Sequence, residues 1–162
     1  MRFSILFLAA AVWIAPTSNT SFTPEYYVVL DSAKGEGLLN QCSRSVPEKI
    51  DAYFTLSQED IRTLEDNFLK IKKIKAKACC QTSQQVTSLE KFAFQYMGVT
   101  VGNRRFIYLN AFKVNNKVDF ETFYKDWKSS PVVMCDGGDH YWGALFDLGR
   151  QKFTQLAFNG II

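Results

Sequence analysis

The stretch Phe92-Ala-Phe-Gln-Tyr-Met-Gly-Val-Thr-Val-Gly-Asn-Arg-Arg-Phe-Ile-Tyr-Leu-Asn-Ala-Phe112 decides the fold class. Phe92, Phe94 and Tyr96 alternate with Ala93, Gln95 and Met97, a period of two that suits a pleated strand and not a helix. Val99 and Val101 lead into Gly102-Asn103, and Arg104 to Phe112 is a second β-prone run. Two such runs around a short glycine-containing turn predict an antiparallel hairpin.

Working outward, Asp119 to Trp127 reads as a short helix with Phe120, Phe123, Tyr124 and Trp127 on one face, ended by Ser129-Ser-Pro131. Three strands then close the chain, Val132 to Cys135, Tyr141 to Phe146 and Lys152 to Phe158, with turns at Asp136-Gly-Gly-Asp139 and Asp147-Leu-Gly-Arg150. Upstream of the hairpin, Gln81 to Ser88 is polar and reads as a loop. The clearest helix opens at Thr55-Leu-Ser57, where Ser57 caps and Asp60 closes a capping box. Ile61, Leu64, Phe68 and Ile71 follow on one stripe. Acids stand early and Lys70, Lys72, Lys73, Lys75 and Lys77 late, as the helix dipole favours, so the lysine run reads first as a solvated helix end. Glu25 to Leu30 is a β-prone run, Gly35 and Gly37 mark a turn, and Gln41 to Pro47 reads as a loop.

One strand, a helix, a hairpin, a helix and a three-strand meander contain no repeated βαβ unit. The order predicts an α+β domain, an antiparallel sheet of about five or six strands with two main helices packed on one face.

The N-terminus carries a different signal. Met1-Arg2 is followed by an uncharged apolar run from Phe3 to Ala15, then Pro16 and a small polar stretch. Charged head, short apolar run and small residues are the order of a secretory signal, and the run is too short for a stable membrane anchor. Trp13 stands where a cut after Ala15 prefers a small residue, so the expected boundary spreads over residues 15–20. A single domain over residues 21–162 follows. Its 47% apolar and 15% aromatic content suffices for a core and excludes general disorder. The formal charge of +3 includes Arg2, which leaves a nearly neutral domain and argues against a nucleic-acid partner.

The four cysteines are Cys42, Cys79, Cys80 and Cys135. In an exported chain they read as disulfide candidates. Because a bridge between adjacent Cys79 and Cys80 is strained, Cys42 and Cys135 pair either with one each of these or with each other. Zinc is a poor rival, since no C-x2-C spacing exists and His140 is the only histidine. No metal or cofactor is expected.

Asp136, Gly137, Gly138, Asp139, His140, Tyr141 and Trp142 form the one unusual segment. As a recognition loop it would expose His140, Tyr141 and Trp142. As a plain turn it would use its glycines for positive φ, its aspartates for Asx-turns, and Trp142 in the core. Asp136 and Asp139 alone are too few oxygens for calcium, and Cys135 with His140 is a weak nucleophile–base pair when the cysteine is a disulfide candidate. No hydrolase elbow, zinc-protease, P-loop or dinucleotide motif occurs. Glu48, Asp51, Glu90 and Glu121 are carboxylates that the sequence does not bring together for glycoside chemistry.

Gln41-Cys-Ser-Arg44, Phe94-Gln-Tyr-Met-Gly98, Ile107 to Phe112, Cys135-Asp-Gly-Gly138 with Trp142-Gly143, and Phe158-Asn-Gly160 together resemble a family of small exported bacterial proteins of no known activity. The resemblance runs from about Gln41 to Gly160 and implies a periplasmic or secreted location. It also implies that Cys42 and Cys135 are partners, and it brings no catalytic residues. The resulting expectation is a non-enzymatic binding, inhibitor or immunity-type protein whose partner is another exported protein. A hydrolase centred on His140 and a carrier of a small apolar ligand are the rivals.

Overall fold

A computed structural model of the chain describes residues 21–76 and 84–161. The signal segment, Lys77, Cys79 and Cys80 lie outside the described residues. The element order is β1 (Tyr26–Val29), α1 (Gly35–Leu39), β2 (Ala52–Phe54), α2 (Gln58–Asn67), β3 (Phe92–Val101), β4 (Arg104–Lys113), α3 (Lys117–Phe123), β5 (Tyr141–Asp147) and β6 (Lys152–Phe158). It is an α+β fold built on one six-stranded sheet in the order β1-β3-β4-β5-β6, with β2 also paired to β3.

The hairpin is the spine. β3 and β4 pair from Phe92↔Lys113 to Val101↔Arg104, and Gly102 and Asn103 both take positive φ in the turn, as a tight hairpin requires. β1 and β2 then share one edge of β3. β2 is antiparallel to its second half, whereas β1 is parallel to its first half, with Tyr26 opposite Ala93 and Val29 opposite Tyr96. The sheet is therefore mixed and not purely antiparallel. β1 is far from β3 in sequence, and a strand's own residues do not encode the direction of a distant partner.

The helices are also divided, which corrects the expectation of one covered face. On one face Phe94, Tyr96, Ile107, Leu109, Trp142 and Phe146 meet Ile61, Leu64, Phe68 and Ile71 from α2 and the 3-10 turn Phe68–Lys73 that continues it. Ser57 and Asp60 form the expected capping box: Asp60 N–H donates to Ser57 Oγ and Ser57 N–H to Asp60 Oδ2. On the other face Met97, Val99, Phe106, Tyr108 and Leu145 pack beneath Leu38 and Leu39, while Ala93 and Phe112 pack beneath Phe120 and Trp127. The glycine-bearing segment expected as a turn is thus the short helix α1, and it supplies two of these cover residues.

Two further expectations fail for local reasons. α3 ends at Phe123, short of the expected Trp127, and its rings do not share one buried face: Phe120 and Trp127 are buried but Phe123 is 77% exposed. Val132 to Cys135 forms no strand, and Cys135 lies in a bend. Its backbone bonds to side chains that rise from the sheet, not to a neighbouring strand.

Candidate binding site

Three buried amide side chains make most of that substitution, and Gln41 Nε2 adds a longer bond to Val132 O (3.4 Å). Gln95 and Asn110 sit in mid-strand on β3 and β4, and Asn159 directly follows β6; all three are buried. Gln95 Nε2 donates to Trp127 O (2.5 Å) and Ser130 O (2.7 Å), while its Oε1 accepts from Val132 N–H (2.8 Å). Asn110 Nδ2 donates to Val132 O (2.8 Å) and to Gln95 Oε1 (3.0 Å). Asn159 Nδ2 donates to Met134 O (2.6 Å) and Asp136 O (3.0 Å). Residues 127–136 thus form a strap, fastened across the sheet through its backbone and indifferent to most of its own side chains.

Arg44 locks the amides from behind. It is 7% exposed, and its guanidinium donates to Asn159 Oδ1 (3.0 Å), Tyr108 Oη (3.2 Å) and Asn110 Oδ1. A planar donor fork suits three converging neutral acceptors. Gly143 makes the space: a Cβ there would lie 2.6 Å from Tyr108 Oη and 3.0 Å from Arg44 Nε. Two residues before Arg44, the Cys42–Cys135 disulfide ties its segment covalently to the strap across 93 residues, with a Cα–Cα distance of 5.0 Å. Gly160 N–H donates to Ser43 O, and Gly138 N–H to Gly160 O. Motifs that lie far apart in the chain therefore meet around one buried polar knot.

The strap borders a cavity. Where the strap passes α3, a depression of about 310 Å³ is lined by Lys113, Asn115, Phe120, Phe123, Tyr124, Met134, His140 and Tyr141. Lys113 Nζ lies 3.0 Å from His140 Nε2 at the rim. An ammonium only donates, so Nε2 accepts and the ring proton sits on Nδ1. Tyr124 and Tyr141 share a 2.6 Å hydroxyl contact. Burial, then the bond to Tyr141, pushes the Tyr124 phenol well above its ordinary value, so it stays protonated and is no nucleophile at neutral pH. A second depression of about 260 Å³ continues past Phe123 and Tyr124 over Trp127 and Val133. Phe123 stands between the two.

Of the segment singled out in the sequence, His140 and Tyr141 reach this cavity, while Asp139 lines a separate depression with Phe92 and Trp142. Asp136 and Gly137 are exposed, Gly138 is buried, and Gly137 takes φ +90° to start the 3-10 turn Gly138–His140. Trp142 is no exposed anchor. It is fully buried, edge-on to Phe92 and Phe94, because strand alternation turns it to the face opposite Tyr141. Cys135 is bound in the disulfide and supplies no thiol. Among the described residues no three His, Cys, Asp or Glu side chains gather as a metal site. The carboxylates are dispersed: Asp51 accepts from Gly102 N–H, Glu90 from Ser88 and Leu89, and Glu121 faces Lys117.

Sequence reasoning passed over Lys113, Tyr124, Met134 and the knot residues Gln95, Asn110 and Asn159. The signal for the knot was present, since a Gln and an Asn in the middle of apolar strands need buried partners. No family model, curated protein or solved structure matches the chain.

Proposed function

We propose that the chain is an exported, non-enzymatic binding protein, an inhibitor- or immunity-type partner of another exported protein, and that the face between α3 and the strap is its contact surface. Phe123 carries this reading. An aromatic side chain 77% exposed between two depressions has the shape and chemistry of an interface anchor. Its surroundings are fastened in advance by a disulfide and three amides, which lowers the ordering cost of association. Export to the periplasm or medium rests on the N-terminal signal, on the disulfide and on the resemblance to exported bacterial proteins. Among the described residues no helix is long and apolar enough to cross a membrane.

The test places a photo-crosslinking residue at position 123, and at exposed Lys152 on β6 as control, in cells exporting the protein. A discrete protein adduct specific to position 123 is expected. Identical or empty lanes at both positions would sink the reading. A hydrolase using His140 draws on the Lys113–His140 contact at the cavity rim. An unchanged phenotype for His140→Ala removes that version.

A further inference from the structure

We propose that the cavity between α3 and the strap is built for an apolar carboxylate, chiefly the C-terminal carboxylate of a peptide whose last residue is aromatic or aliphatic. The inference deepens the binding reading and rests on it.

The charge comes first. Lys113 ends β4 and brings its ammonium to the rim. An ammonium has three donors, and one is directed to His140 Nε2. Among the described residues no carboxylate lies within 4.0 Å of Lys113. The contrast is at the far end of the hairpin, where Arg104 faces Asp147 and Arg105 faces Asp60. Lys113 therefore keeps donors to spare beside an open cavity. The nearest acid to the pair is Asp139, whose Oδ1 is 3.8 Å from His140 Nε2. One lysine with an aspartate close by suits a single negative charge and disfavours a phosphate dianion.

The walls set the rest. Phe120, Phe123, Tyr124 and Met134 surround the space with rings and a thioether. In the Tyr124–Tyr141 pair one hydroxyl donates to the other, which leaves one O–H proton unspent inside the cavity. A volume of about 310 Å³ is at the small end of ligand sites, room for one side chain with its carboxylate. The ligand chemistry is thus an anionic head on a short apolar body.

The experiment uses the full chain, disulfide oxidised and isotope-labelled, followed by amide chemical shifts. The probes are acetyl-Gly-Gly-Phe as free acid, the same peptide amidated, and 3-phenylpropanoate. The free-acid peptide is expected to shift the amides of Lys113, Phe123, Tyr124, Met134 and His140, and its amide to bind at least tenfold more weakly. Lys113→Met should erase that preference while Lys113→Arg retains it. A peptide that outcompetes 3-phenylpropanoate identifies a chain terminus as the source, and equal binding identifies a free acid; either supports the carboxylate assignment. Equal affinity for acid and amide, a preference that survives Lys113→Met, or no shifts at these residues would overturn it. A position-123 crosslink obtained together with any of those results removes the carboxylate and leaves the binding reading standing. Carboxylate binding without a crosslink does the reverse.

Discussion

The two faces of the sheet are covered by different means. Over one, α2 and its 3-10 extension lay Ile61, Leu64, Phe68 and Ile71 on the aromatic floor of Phe94, Trp142 and Phe146. Area removed from water holds that layer, and the contact is non-directional. Over the other, between the apolar covers of Leu38 and Leu39 and of Phe120 and Trp127, Gln95, Asn110 and Asn159 hold the strap by its backbone, with Arg44 and the disulfide behind them. Hydrogen bonds fix position more sharply than apolar contact does, and they leave the strap's outer side chains free to face a ligand. The face tied by polar bonds carries the ring-lined cavity between α3 and the strap, whereas the depression of about 480 Å³ at the edge of the other face is walled mainly by polar side chains beside Phe92 and Trp142.

The comparison is broken most severely by removing the disulfide. Cys42→Ser with Cys135→Ser opens a loop of 93 residues, for which chain entropy predicts a loss of roughly 4–5 kcal/mol. Chemical denaturation measures the loss, and a change below about 1 kcal/mol would mean that the amides alone hold the strap. Phe68→Ala, in the other layer, is expected to cost about 3–5 kcal/mol. It should lower hydrogen-exchange protection throughout the sheet while shifting the strap no more than the rest. Asn110→Ala is expected to cost about 2–3 kcal/mol, because it removes the acceptor of one Arg44 bond and the shorter of the two side-chain donors to Val132 O, and takes one of two donors from Gln95 Oε1. Its mark is local: the Val132 amide should exchange faster by more than the global loss accounts for. Uniform loss in both Phe68→Ala and Asn110→Ala would erase the distinction between the faces.

The smallest effect concerns the helix cap. Burial opposes the charge on Asp60, but hydrogen bonds from Ser57 and the Arg105 guanidinium outweigh it and hold the carboxyl below its ordinary value of 3.8. A carboxyl lowered in the folded state stabilises above its unfolded value, and that contribution is lost as pH falls through the folded one. Asp60→Asn should therefore cost about 1 kcal/mol at neutral pH. The gap between variant and parent should close as pH falls below about 4, which melting temperatures across an acid series will read.

Local patterns were legible where a short stretch satisfies itself. The period of two and the Gly102-Asn103 turn marked the hairpin, and Ser57 with Asp60 marked α2. Both rest on neighbours in sequence. β1's parallel pairing was not legible, nor was the brief strand β2, since each depends on an edge of β3 that is distant in the chain. The strap misled for a related reason: Val132 to Cys135 has the composition of a strand, but the partners of its backbone are amides from three other segments. For the site, His140 and Tyr141 were within the segment marked as unusual. Lys113, Phe123 and Tyr124 were not, because a lysine at a strand end and rings in a short helix resemble ordinary surface and core.

By itself the sequence determined the hairpin, the capped helix, the α+β class and the set of cysteines from which Cys42 and Cys135 pair. Those follow from periodicity, capping chemistry and composition, which act over a few residues. Only the tertiary structure decided that both faces are covered, that Trp142 is core, and that Arg44, Gln95, Asn110 and Asn159 converge on one knot. Convergence of polar groups depends on strand register and on which segment crosses which face, and such placements are set by the packing of the whole chain.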